Sequence, residues 1–256
     1  MRIVIKVGTS TLAYPTGHLN IRHFENLCKV LSDLKNAGHE IILVSSGAIG
    51  MGMGKLGLKA RPEDVPTKQA AAAVGQCELM DTYDRLFSLY HHTVAQILLT
   101  GEDLNEEKRL ANFRNTVQRL LELNALPIIN ENDSVATEEL GVGDNDTLAA
   151  LVAVSAGADL LVLLTDIDGL YTADPRTDPA AERIAVVREI TPALLEKAGG
   201  TGTKLGTGGM VTKLQAAQIC LKEKIDMVIA CGEEPAVLYK IAEGEPAGTL
   251  FKGVRE

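Results

Sequence analysis

The chain has 256 residues, 46% hydrophobic and 23% charged, the balance of a soluble globular protein forming one large α/β domain or two modest lobes. A net charge of −9 without a basic run argues against nucleic acid as a partner, and it leaves any anionic ligand to a few placed cations and a metal ion. Cys28, Cys77, Cys220 and Cys231 are widely spaced and read as buried thiols of a reducing compartment, not as a disulfide or zinc framework.

In chain order, short β-rich runs alternate with helical patterns. Arg2–Val7 reads as a strand, interrupted by Lys6 too early for a signal peptide, so a cytoplasmic protein is expected. Lys6 in an apolar strand is costly unless its ammonium meets an anion, and Gly8 just beyond lets the backbone approach a ligand. Phe24, Leu27, Leu31 and Leu34 give a helical face. The strand Glu40–Ser45 runs into Ser45–Gly50, whose hydroxyls and backbone donors suit a carboxylate or phosphate, with Ser46 also placed to cap a helix.

Gly52–Gly57 fits G-x-G-x-x-G but lies too far past the strand. No second strand ending in an acidic residue follows about 20 residues later, so the match is accidental. Pro66 and Lys68–Tyr90 read as a long helix in which Ala70–Ala73 allow close packing. His91 and His92 mark its junction with the strand Thr93–Leu99.

Leu110, Phe113, Val117, Leu120 and Leu121 form another helical face, followed by the strand Leu126–Ile129. Two polar turns then crowd together: Asn130–Asp133, and Gly141–Asp146 at a helix start. Each alone is ordinary turn chemistry, but two flanking one short segment favour binding, and carboxylates with amides suit an α-amino group. Leu148–Leu164 is the longest apolar stretch; Gly157 and Asp159 split it into a helix and a strand, and it is short for a membrane span. The strand Asp159–Leu164 leads to Thr165, Asp166 and the turn Gly169–Pro175.

Gly206–Lys213 is a glycine-rich turn running into a helix marked by Met210, Leu214, Ala217 and Leu221. Bare backbone N–H groups, the positive end of a helix dipole and Lys213 leaning back over the turn converge as a polyphosphate requires, although the spacing is not Walker A. Asp226–Ala230 closes the series of strands. Such alternation predicts a mostly parallel sheet covered on both faces, with ligands beyond the C-terminal strand ends.

Taken together, Lys6–Ser10, Ser45–Gly50, Lys68–Gln76, Asn130–Asp133, Val142–Asp146, Leu164–Asp166, Gly169–Pro175 and Gly206–Lys213 resemble the glutamate 5-kinases of the amino acid kinase superfamily, in order from residue 1 to about Lys252. The resemblance implies a three-layer αβα sandwich in one domain, with a substrate-binding lobe over about 1–155 and a nucleotide-binding lobe over about 156–256. It implies ATP-dependent phosphorylation of the L-glutamate side-chain carboxylate, the first step of proline synthesis. By position, Ser46, Gly47, Asp133 and Asn145 bind glutamate. Lys6, Thr165, Asp166, Thr207, Gly208, Gly209, Met210, Val211, Thr212 and Lys213 bind ATP. Lys6 and Lys213 are catalytic with Asp146 orienting them, and Mg²⁺ is held mainly through ATP.

A homo-oligomer (dimer or tetramer) and proline as a feedback inhibitor are further implications. Many members carry a PUA domain, which a chain stopping soon after Gly248–Phe251 is expected to lack. Alternatives are an aspartate or N-acetylglutamate kinase and a non-catalytic nucleotide sensor on the same fold. A nicotinamide oxidoreductase is a distant third.

Overall fold

Six-residue aliphatic runs form the centre of an eight-stranded sheet in the computed structural model, which describes residues 1–14, 18–136, 145–175, 177–192, 194–195 and 209–253. The first half comprises β1 (Arg2–Val7), α1 (Thr9–Leu12), α2 (Ile21–Asn36), β2 (Glu40–Ser45), α3 (Ala48–Leu56), α4 (Val65–Ser88), β3 (Val94–Leu99), α5 (Gly101–Asn105), α6 (Glu107–Glu122) and β4 (Leu126–Glu131). Then come α7 (Asn145–Ala156), β5 (Leu160–Thr165), β6 (Val186–Val187), α8 (Met210–Lys222), β7 (Asp226–Cys231), α9 (Val237–Ala242) and β8 (Thr249–Phe251). The strand order is β3-β4-β2-β1-β5-β7-β8-β6, and every pairing is parallel except β7 with β8. From central β1 the chain turns first to β2 on one side and later to β5 on the other, so the crevice beyond the ends of β1 and β5 is the switch point where such sheets hold ligands.

The period of two along each strand sorts the core into two layers. Ile3, Ile5, Val7, Leu43, Val162 and Ala230 pack with α2, α4 and α9, including Phe24, Tyr83 and Leu238. Val4, Val44, Leu163 and Ile229 pack on the other side with α6, α7 and α8, including Val117, Val152 and Ala217. The same alternation turns Lys6 to the Val4 side, which α7 covers. Helices on both sheet faces make the fold the expected three-layer α/β sandwich.

The long helix runs over Val65–Ser88, beginning and ending before the expected Lys68–Tyr90. Asp64 caps it by accepting from the Thr67 backbone N–H at 2.8 Å, with Pro66 in its first turn. Gly52, the first glycine of the accidental motif, has a packing role that it shares with Gly75. A Cβ at Gly52 would overlap the Ala71 carbonyl, and one at Gly75 the Ala48 carbonyl, so these two positions let α3 and α4 touch backbone to backbone. His91, at φ 60°, is the anticipated junction.

Some expectations need correcting. Thr93 and Asp159 lie just outside their strands, and β4 runs on through Asn130 and Glu131, which pair with Leu98 and Leu99 of β3. Ser46 does not cap α3; Gly47 does, at φ 107°, a left-handed backbone that favours glycine. Cys28 and Cys220 are buried, whereas Cys77 is exposed and Cys231 is only partly covered, so the four thiols are not uniformly core residues. Among the described residues, no helix is long and apolar enough to cross a membrane.

Candidate active site

Lys6, near the end of β1, and Lys213, in the first turn of α8, meet on one carboxylate. Asp146, in the first turn of α7, places Oδ1 2.7 Å from Lys6 Nζ and Oδ2 3.1 Å from Lys213 Nζ. Asp146 is fully buried, and the two lysine side chains are 11% and 7% exposed. Thr212 Oγ1 donates to Asp146 Oδ2 at 3.0 Å and lies 2.7 Å from the Gly209 carbonyl, which ties the start of α8 to α7.

Burial alone would raise the Asp146 pKa, but the ammonium groups of Lys6 and Lys213 outweigh it and hold the carboxyl below the ordinary carboxylate range. Two ammonium groups thus converge on one carboxylate at the switch point. Removing one partner of such a buried cluster would strand an uncompensated charge.

Asn145, the residue before Asp146, serves a second cluster. Its Nδ2 donates to Ser46 Oγ at 2.6 Å and to Asn130 Oδ1 at 3.1 Å. Asn130 Nδ2 in turn donates to Gln76 Oε1 at 2.9 Å. This neutral chain joins the C-terminal ends of β2 and β4 to α4 and α7. Beside it, Ala48, Gln76, Cys77, Glu131, Asn132 and Asp133 line part of a cleft of about 230 Å³. Burial, and then the nearby Glu131 charge, push the Asp133 carboxyl up to about 6 despite Arg61. An anion in so uncompensated a setting favours a cationic ligand group.

The remaining predicted residues lie around these clusters. Thr165 ends β5, next to β1, and its hydroxyl donates to Asp166 Oδ1 at 2.9 Å. Gly209 caps α8 without a side-chain bond, Met210 is half-buried and Val211 exposed. Thr207 and Gly208, and the Gly141–Asp144 part of the acidic turn, lie outside the described residues. The structure therefore joins Lys6, Asp146, Thr212 and Lys213 in one cluster and Ser46 with Asn145 in another, while Asp133 faces the cleft.

Sequence reading missed Gln76 as a site residue. A signal was available: an amide on the same helical face as Ala72, Leu79 and Tyr83 is out of place unless it is bonded.

The amino acid kinase family model matches residues 1–231. A glutamate 5-kinase of Caldanaerobacter subterraneus is 53% identical over 251 residues, covering 98% of this chain and 68% of that protein. One from Clostridium perfringens is 50% identical over 254 residues, covering 98% and 94%. Among solved structures, isopentenyl phosphate kinase of T. acidophilum aligns with a TM-score of 0.68 at 16% identity, over 98% of this chain and 100% of that one. Carbamate kinase from Giardia lamblia aligns with a TM-score of 0.69 at 14% identity, over 99% and 98%. These two likenesses concern the fold alone.

Proposed function

This chain belongs to the amino acid kinase family, and from that premise we infer that it transfers the γ-phosphoryl group of ATP to the side-chain carboxylate of L-glutamate, giving L-glutamyl 5-phosphate and ADP. The observation that carries the reading is the Asp146 carboxylate holding two ammonium groups from distant parts of the chain, Lys6 and Lys213, at the switch point of the sheet.

The chemistry asks for such an arrangement. A glutamate side chain ionises near pH 4.3, so the nucleophile is already an anion at neutral pH and needs no general base. The barrier lies in bringing that anion onto a polyphosphate, and positioning with charge neutralisation lowers it. We assign Lys213 to the charge on the moving phosphoryl group and Lys6 to bridging phosphate oxygens. Asp146 orients both by tying them to the first turn of α7. Thr165, Asp166 and Gly209–Thr212 surround the nucleotide, with Thr207 and Gly208 expected to join them.

Ser46, the Gly47 turn and Asn145 take the acceptor, and Asp133 pairs with its α-ammonium. In this assignment residues 1–155 carry the acceptor side and 156–256 much of the nucleotide side. Among the described residues no group of three or more His, Cys, Asp or Glu side chains could hold a metal, and Asp146 is engaged by lysines. We assign Mg²⁺ to the ATP phosphates, where it would neutralise part of their charge.

The acidic cleft separates the candidate substrates. An N-acetylated amino acid has no ammonium to set against Asp133, so a free amino acid is favoured. ADP release measured with glutamate, aspartate and N-acetylglutamate, with hydroxylamine trapping the acyl phosphate, tests the reading. Glutamate should give ADP and a hydroxamate. No ADP above the ATP-only rate, or a preference for N-acetylglutamate, would overturn it.

A further inference from the structure

Helix α4 sends two buried polar side chains, Gln76 and Tyr83, to the strand ends that carry the neutral cluster. They are seven residues apart and so share a helical face with Ala72 and Leu79. Tyr83 Oη lies 2.9 Å from Ser45 Oγ, and Ser45 donates to the Ser46 carbonyl at 3.1 Å, so Tyr83 is the donor to Ser45. Gln76 holds the other end through Asn130. Gly75, next to Gln76, sets α4 directly on the backbone of α3 and thereby fixes its position.

The direction of every bond in the amide chain follows from one donor whose identity is not in question. The Glu131 backbone N–H points to Asn130 Oδ1 at 2.9 Å. Asn130 must then offer its Nδ2 to Gln76, and Gln76 must answer with Oε1. Asn145 Nδ2 donates onward to Asn130 Oδ1 and Ser46 Oγ. Ser46 Oγ is thus an acceptor inside the cluster, which leaves its own hydrogen to donate outward.

We propose that Gln76 is a positioning residue for the acceptor: by fixing Asn130, and through it Asn145, it turns the Ser46 hydroxyl hydrogen toward a carboxylate oxygen of the bound amino acid. The inference rests on the reading that Ser46 and Asn145 hold that substrate. Gln76 acts through its neighbours and carries no charge, so its loss disturbs acceptor alignment and leaves the lysine–aspartate cluster intact.

Gln76→Met keeps the side-chain length and removes the acceptor oxygen. The glutamate KM should rise by roughly tenfold or more, the scale of a buried amide left without its partner. In a cycle with Asn130→Ala, the double variant should be within about twofold of Asn130→Ala alone, and the ATP KM should stay within the same margin. Additive effects would mean that Gln76 touches the substrate independently, and an unchanged glutamate KM, or equal shifts in both KM values, would mean only a structural role; each overturns the proposal. The same cycle with Gln76→Ala serves if the methionine variant does not fold. Failure of the unaltered chain to phosphorylate glutamate sinks the proposed reaction, whereas turnover with an additive cycle sinks only the role of Gln76.

Discussion

Asn145 and Asp146 are adjacent on the first turn of α7, yet they belong to clusters of opposite character. Asp146 gathers two ammonium groups in a buried ionic knot, while Asn145 joins a chain of neutral amides and a hydroxyl. Successive helical side chains diverge by about 100°, so one turn can serve both. Ionic attraction falls slowly with distance and tolerates orientation, whereas an amide bond weakens steeply when misaligned. The ionic knot suits a mobile, highly charged phosphoryl group; the amide chain suits a small acceptor that must be held at one angle.

The sharpest break of this contrast is Asp146→Ala. It should lower kcat by at least ~10³ by freeing both lysines, and it should cost about 3–5 kcal/mol of stability, since two buried cations lose their partner. Steady-state kinetics with urea unfolding would check both, and a stable, active variant would show that the knot is dispensable. Lys213→Ala should lower kcat by ~10² with little change in the glutamate KM. Near-normal turnover would remove Lys213 from the phosphoryl-transfer role.

On the neutral side, Gly75→Ala forces a Cβ into the Ala48 carbonyl and should cost about 1–3 kcal/mol. It should raise the glutamate KM more than the ATP KM, because α4 carries only the acceptor cluster; equal shifts would erase the distinction.

The smallest effect is a pH profile. Asp133, pushed up to about 6, is ionised above that value and protonated below it, so its attraction for an ammonium fades as pH falls. Asp146, held below the ordinary range, stays ionised over the same interval. The kcat/KM for glutamate should therefore drop by up to about tenfold between pH 7 and pH 5, and Asp133→Asn should flatten that limb. A limb unchanged in the variant would assign the titration elsewhere.

The sheet was legible where strands are buried on both faces, because Ile3–Ile5 or Leu160–Leu164 can hardly be anything else. β6 and β8 have two and three residues, too few for any period to register, and the antiparallel return of β8 rests on pairing with β7 that no local pattern announces. Lys6 was legible because a lysine in an apolar strand demands an anion, though nothing in its neighbourhood named Asp146, 140 positions away in the chain. Ser46 had two readings with one local pattern: the helix cap fell to Gly47, and the approach of Asn145, 99 positions away, was not legible at all. Gln76 stayed hidden because an amide within a helix usually faces water; its partner, Asn130, is 54 positions away in the chain.

The shared first turn of α7 limits how such a protein can change its diet. A backbone shift there that re-aims Asn145 would also move Asp146, the anchor of both lysines, so on the proposed reading a new acceptor gained in that way would come with a slower phosphoryl transfer. Helix α4 offers the separate handle. Variation at Gln76 and around it can retune which small molecule is welcomed while the machinery that handles ATP is left as it stands.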